Sequence, residues 1–66
     1  MQIFINGASY ELPAACTLAD CLALIPIEAT ACATAVNGVF VARDARHQKV
    51  LQEQDHVMTF EPITGG

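Results

Sequence analysis

Met1-Gln2-Ile3-Phe4-Ile5-Asn6-Gly7-Ala8-Ser9-Tyr10-Glu11-Leu12-Pro13 opens the chain, and its reading decides the fold. Met1, Ile3 and Ile5 alternate with Gln2 and Phe4, the period of a strand with one buried face. Asn6-Gly7 is the dipeptide of a two-residue primed turn, in which both positions need positive φ. The return arm runs from Ala8 to Leu12, with Tyr10 and Leu12 on one face. Pro13, having no amide hydrogen to donate, ends the ladder. The chain therefore begins with a β-hairpin.

Downstream, Thr17 and Asp20 have the spacing of a capping box, with the carboxylate at the positive end of a helix. Leu18, Cys21, Leu22 and Ile25 recur at helical spacing and give one apolar stripe, and Pro26 terminates it. Residues 27–32 read as a connector. A second tight hairpin follows, Ala33 to Val36 and Val39 to Val41, about the Asn37-Gly38 turn. Residues 42–48 are polar and long enough for one helical turn, Val50 and Leu51 look like anchors of a crossover, and a last strand spans His56 to Glu61. A helix stripe between two hairpins and a final strand is buried best across a mixed sheet whose first and last strands are parallel neighbours. This predicts an α+β protein of the β-grasp (ubiquitin-like) type, a mixed four- to five-stranded sheet with one main helix packed across it. Residues 1–62 would form the domain and residues 63–66 a flexible Gly-Gly tail.

Composition narrows the function. With 66 residues, 53% of them apolar and 15% charged, the chain has room for one domain and no deep cleft between lobes. A catalyst is not expected. The net charge of −4 repels phosphate backbones. Arg43, Arg46 and Lys49 are interrupted by Asp44 and read as a solvated turn, so no nucleic-acid partner is expected. An acidic surface suits a basic partner protein. There is neither a signal segment nor a membrane span, which predicts a mature chain starting at Met1. Cys16, Cys21 and Cys32 form no CxxC pair, and a reducing cytoplasm fits them best. Cys21 reads as a small core residue, and Cys16 and Cys32 have no neighbouring cation to activate them. His47 and His56 lack metal-ligand spacing and read as surface residues. Ser9 lies outside any nucleophile motif, and Gly7 and Gly38 lie outside any phosphate-binding loop.

Gly65-Gly66 is different, because it follows the last strand and serves no turn. Two residues without Cβ atoms make a thread thin enough for a narrow channel, and they deliver one reactive group, the terminal carboxylate. A carboxylate is inert until activated, and an ATP-dependent partner does this by forming an acyl-adenylate.

The opening strand, Ala35-Val36-Asn37-Gly38, Val41-Ala42-Arg43 and the closing Pro62-Ile63-Thr64-Gly65-Gly66 together resemble the sulfur carrier protein of thiamine biosynthesis, the ThiS family, over the whole length. Met1-Gln2-Ile3-Phe4 also echoes ubiquitin. The chain departs from the family at Ala42, where Pro is frequent, at Arg46, where an aromatic is common, and at Gln54, where Gly usually precedes Asp. The resemblance implies a carrier, with no catalytic residue and no bound cofactor or metal of its own. Its Gly66 carboxylate is adenylated by an E1-like adenylyltransferase holding ATP. A sulfur donor such as a cysteine desulfurase or a rhodanese-type protein then supplies the sulfur of a thiocarboxylate, which thiazole synthase receives. Ile63, Thr64 and Gly65 would thread the partner channel. Phe4, facing away from the helix, and Met58 and Phe60 beside it would form the partner-binding patch. The parity of the last strand stays open on the residues alone, since Met58 and Phe60 could equally fill the core. Alternative readings are the small subunit of molybdopterin synthase, a ubiquitin-like protein modifier, and a non-catalytic interaction domain.

Overall fold

Both Asn-Gly pairs close hairpins as the turn chemistry demands. Asn6 and Gly7 have φ of 51° and 86°, and Asn37 and Gly38 have 51° and 82°, the paired positive values that match the twist of the flanking strands. A computed structural model describes residues 1–24 and 33–60. Strands β1 (Gln2–Ile5) and β2 (Ala8–Glu11) flank the first turn, and β3 (Ala33–Val36) and β4 (Val39–Val41) flank the second. The last strand, β5 (His56–Phe60), lies between the hairpins, giving a five-stranded sheet in the order β2-β1-β5-β3-β4. It runs parallel to β1, with Phe4 opposite His56 and Ile5 opposite Val57, and antiparallel to β3. This is the mixed β-grasp sheet expected from the sequence.

Helix α1 (Leu18–Leu24) starts where the capping box places it. The Asp20 amide donates to Thr17 Oγ1 at 3.1 Å and the Thr17 amide to Asp20 Oδ2 at 3.2 Å, satisfying donors that a helix N-terminus otherwise leaves open. Cys16 and Cys21 occupy the two positions of a hydrophobic staple around that cap, and both belong to the core. Leu18, Cys21 and Leu22 face the sheet and meet Ile3, Ile5, Val36 and Val57. Ile25, Pro26 and the connector to Cys32 lie outside the described residues, as does Glu61.

The segment after β4 is a 3-10 helix, Arg43–Gln48, rather than a single helical turn. It is not a solvated turn throughout. Arg46 is only 5% exposed, and its Nε donates to Thr34 Oγ1 at 3.1 Å, while that hydroxyl donates to the Val41 carbonyl at the same distance. A buried guanidinium cannot shed its charge and is retained only when hydrogen-bonded. Of the two crossover anchors, Leu51 is buried but Val50 is half exposed. Val50 contributes backbone instead, through a bridge to Thr17 in which Leu18 N donates to Lys49 O and Leu51 N to Cys16 O.

Gln54, just before β5, has φ of 68°, a left-handed conformation in which a Cβ crowds the carbonyl oxygen. Replacing it by glycine removes that crowding against a smaller entropic loss on folding. Gln54→Gly should therefore raise stability by about 0.5 to 1 kcal/mol and the melting temperature by roughly 2 to 8 °C. An unchanged or lower melting temperature would show that the Gln54 side chain supports the turn.

Candidate functional site

The site is the face of the sheet opposite α1, and the parity of β5 decides what it presents. Val57 is 1% exposed, whereas Met58 and Phe60 are 46% and 47% exposed. The strand thus buries its β-branched residue and turns the larger apolar pair outward. Pairing distributes this face across the sheet. Met58 lies opposite Ala35 and Phe60 opposite Ala33 on β3, and Ala35 lies opposite Phe40 on β4. Small side chains on β3 thus separate large ones on its neighbours, and Ala35 is buried between them.

Phe4 is half-buried on β1 and stacks on His56, with ring centroids 4.7 Å apart and planes inclined by 16°. The stack closes the β1 end of the face. Phe4, Met58 and Phe60 thus share one surface, and His56 is exposed, as is His47. Phe40, 67% exposed, is an additional member. It was recoverable from the sequence, because alternation through Val39-Phe40-Val41 places Phe40 opposite the two valines.

Two thiols can be placed, and neither is poised to react. Burial raises the Cys21 pKa to about 11, with the neighbouring Cys16 adding to the rise. Cys16 is raised as well, first by burial and then by the Asp20 carboxylate. Both remain thiols at neutral pH, and the thiolate is the nucleophilic form. Cys32 lies outside the described residues. Among those described, no group of three or more His, Cys, Asp or Glu could hold a metal ion, and no helix is long and apolar enough to cross a membrane. Ile63, Thr64, Gly65 and Gly66 also lie outside the described residues. What the described residues offer is an exposed apolar face on the strand that precedes them in sequence.

The ThiS family model matches residues 3–66, from the first strand through both terminal glycines. The chain belongs to the ThiS family. The crystal structure of the thiamine biosynthesis protein ThiS from Geobacter metallireducens superposes with a TM-score of 0.82 at 23% sequence identity, covering 100% of each chain. At that identity the likeness establishes the ThiS-type β-grasp fold. No curated protein matches the chain.

Proposed function

We propose that this ThiS-family chain is a sulfur carrier in thiamine biosynthesis, with Gly66 as the carrying residue. An E1-like adenylyltransferase binds the outer face of the sheet and receives the tail. The Gly66 carboxylate attacks the α-phosphate of enzyme-bound ATP, and pyrophosphate leaves. A persulfide from a cysteine desulfurase or rhodanese-type donor then attacks the acyl carbon and AMP departs, because an adenylate is a good leaving group for a soft sulfur nucleophile. The product is an acyl disulfide, acyl–S–S–donor. A second partner thiol attacks the donor sulfur, forms a disulfide with it and releases the Gly66 thiocarboxylate, which is presented to thiazole synthase. All acid–base chemistry belongs to the partners, and the chain acts as carrier rather than catalyst. Two free, buried thiols suit a reducing cytoplasm.

The observation that supports this reading most is the family match running through Gly65-Gly66. The outward pair Met58 and Phe60 adds a place to grip on the strand that enters the tail. Intact mass after incubation with ATP, a ThiS-type adenylyltransferase and a persulfide donor tests it directly. The mass should rise by the replacement of one oxygen by one sulfur, and a chain that stays unmodified would remove the carrier reading.

The docking face makes its own prediction. Phe60→Ala deletes an exposed ring, so the melting temperature should change little, since surface substitutions generally fall within about 0.5 kcal/mol. Affinity for the adenylyltransferase should fall by about tenfold or more, as for an aromatic anchor at an interface. Unchanged affinity with a large thermal destabilisation would reverse the assignment of faces.

A further inference from the structure

We propose that Asn6 is a positioning residue for the C-terminal segment, its side-chain amide replacing a missing strand residue beside the end of β5. The proposal rests on the carrier reading for its functional consequence, but its structural basis is independent of it. In a parallel ladder, alternate residues of one strand donate to and accept from the other. Phe4 N donates to Asp55 O at 2.9 Å and Asn6 N to Val57 O at 2.9 Å. The next bond in that series would run from Thr59 N to the main-chain carbonyl of Asn6. It cannot form there, because the chain turns at Asn6-Gly7. Instead Thr59 N donates to Asn6 Oδ1 at 3.0 Å, and Asn6 Nδ2 donates to Thr59 Oγ1 at 2.9 Å. The side chain thus extends the β1 ladder by one step after the backbone has left it.

Thr59 has nothing equivalent on its other side. Asn37 N donates to His56 O, so His56, Met58 and Phe60 are the β5 residues whose peptide groups face β3, and by alternation those of Val57 and Thr59 face β1. Thr59 lies two residues before Glu61, where the C-terminal segment begins. On the β1 side, the end of β5 is therefore held by the Asn6 amide.

Asn37 makes the corresponding arrangement at the opposite end of the strand. Its Oδ1 accepts from His56 N at 2.9 Å and its Nδ2 donates to Asp55 Oδ1 at 2.9 Å. The two turn asparagines are thus matched in chemistry and differ in place, one at the start of β5 and one where it hands over to the tail. They supply each other's control.

The test compares Asn6→Gly, Asn37→Gly and Asn6→Asp in the full chain. Glycine accepts the φ of either turn position and removes only the amide. Aspartate also tolerates that φ, and its carboxylate accepts from both Thr59 N and the Thr59 hydroxyl, so it should restore the clamp. In Asn6→Gly, exchange of the Thr59 amide hydrogen should quicken at least about tenfold over wild type, as expected for local release of a strand end. The kcat of ATP-dependent pyrophosphate exchange with the adenylyltransferase should fall by about 10- to 100-fold with KM nearly unchanged, because a misplacement of about 1 Å has that effect on rate. Asn37→Gly should lower thermal stability without the kcat loss, and Asn6→Asp should recover wild-type values in both measurements. Unchanged Thr59 exchange in Asn6→Gly overturns the proposal without reference to any partner. So does an equal loss of kcat in Asn37→Gly, which would mark a general loosening of β5. A wild-type chain that supports no pyrophosphate exchange overturns the carrier reading instead, leaving the Thr59 measurement to decide the role of Asn6.

Discussion

A chain lacking Gly66 is expected to keep its native circular dichroism spectrum and lose ATP-dependent pyrophosphate exchange with the adenylyltransferase by about 100-fold. From Pro62, the four residues Ile63 to Gly66 span roughly 13 to 14 Å when extended, at about 3.3 to 3.6 Å per residue. Removing the last one shortens the reach and withdraws the carboxylate carbon from the line of attack on the α-phosphate. Gly65→Val keeps the length and should fail as severely for a different reason, since a branched Cβ stiffens the backbone and widens a thread that must enter a channel. Glycine has no side chain to contribute to a core, so both variants should melt with the wild type. Native spectra with undiminished exchange would mean that activation does not pass through this tail.

The second large effect is on stability. Ile3 is fully buried at the centre of the apolar cluster, on a strand paired on both sides. Ile3→Ala should cost about 2 to 5 kcal/mol, combining lost transfer free energy with an unfilled cavity. A domain of this length has about 3 to 10 kcal/mol in total, from about 0.05 to 0.15 kcal/mol per residue. The melting temperature should therefore fall by at least about 10 °C. Denaturant unfolding measures this directly, and a loss under about 1 kcal/mol would show that neighbouring side chains collapse into the vacated space. Phe60→Ala removes a larger side chain from the other face and should do far less, so the pair of variants separates core from docking surface.

The elements that declared themselves in the sequence are those whose signal is local. Alternation in Met1 to Ile5, the two Asn-Gly turns and the Thr17–Asp20 box each act within a few residues, and each stands in the structure where its chemistry put it. The parity of β5 was not legible from alternation, because both of its faces carry apolar residues. What decides it is a long-range fact, the pairing of Val57 with Ile5 and Val36 on the face that α1 covers. Arg46 was misread for a related reason. A cation in a polar segment looks solvated until Thr34 and the Val41 carbonyl, from the second hairpin, are brought beneath it. The aromatic common at that position in the family was a clue that the site is interior, since the arginine stem can fill such space while its head is satisfied by hydrogen bonds. The patch was legible in Phe4, Met58 and Phe60, and Phe40 joins it only through β3, which no sequence period relates to β5.

The central place of β5 also governs the order in which the molecule can be made. Each hairpin pairs residues close in sequence and can form within about 1 to 10 μs. The strand between them joins residues as far apart as Asn6 and Thr59, 53 positions in sequence, so the sheet closes only after most of the chain's loop entropy has been lost. On this topology the slow step of folding is expected to be the arrival of the strand that bears Met58 and Phe60. A chain arrested before that step would have two separate hairpins and no joined face. On the proposed carrier reading, recognition by an activating partner would double as a check that folding is complete, because the face it grips exists only once β5 is seated.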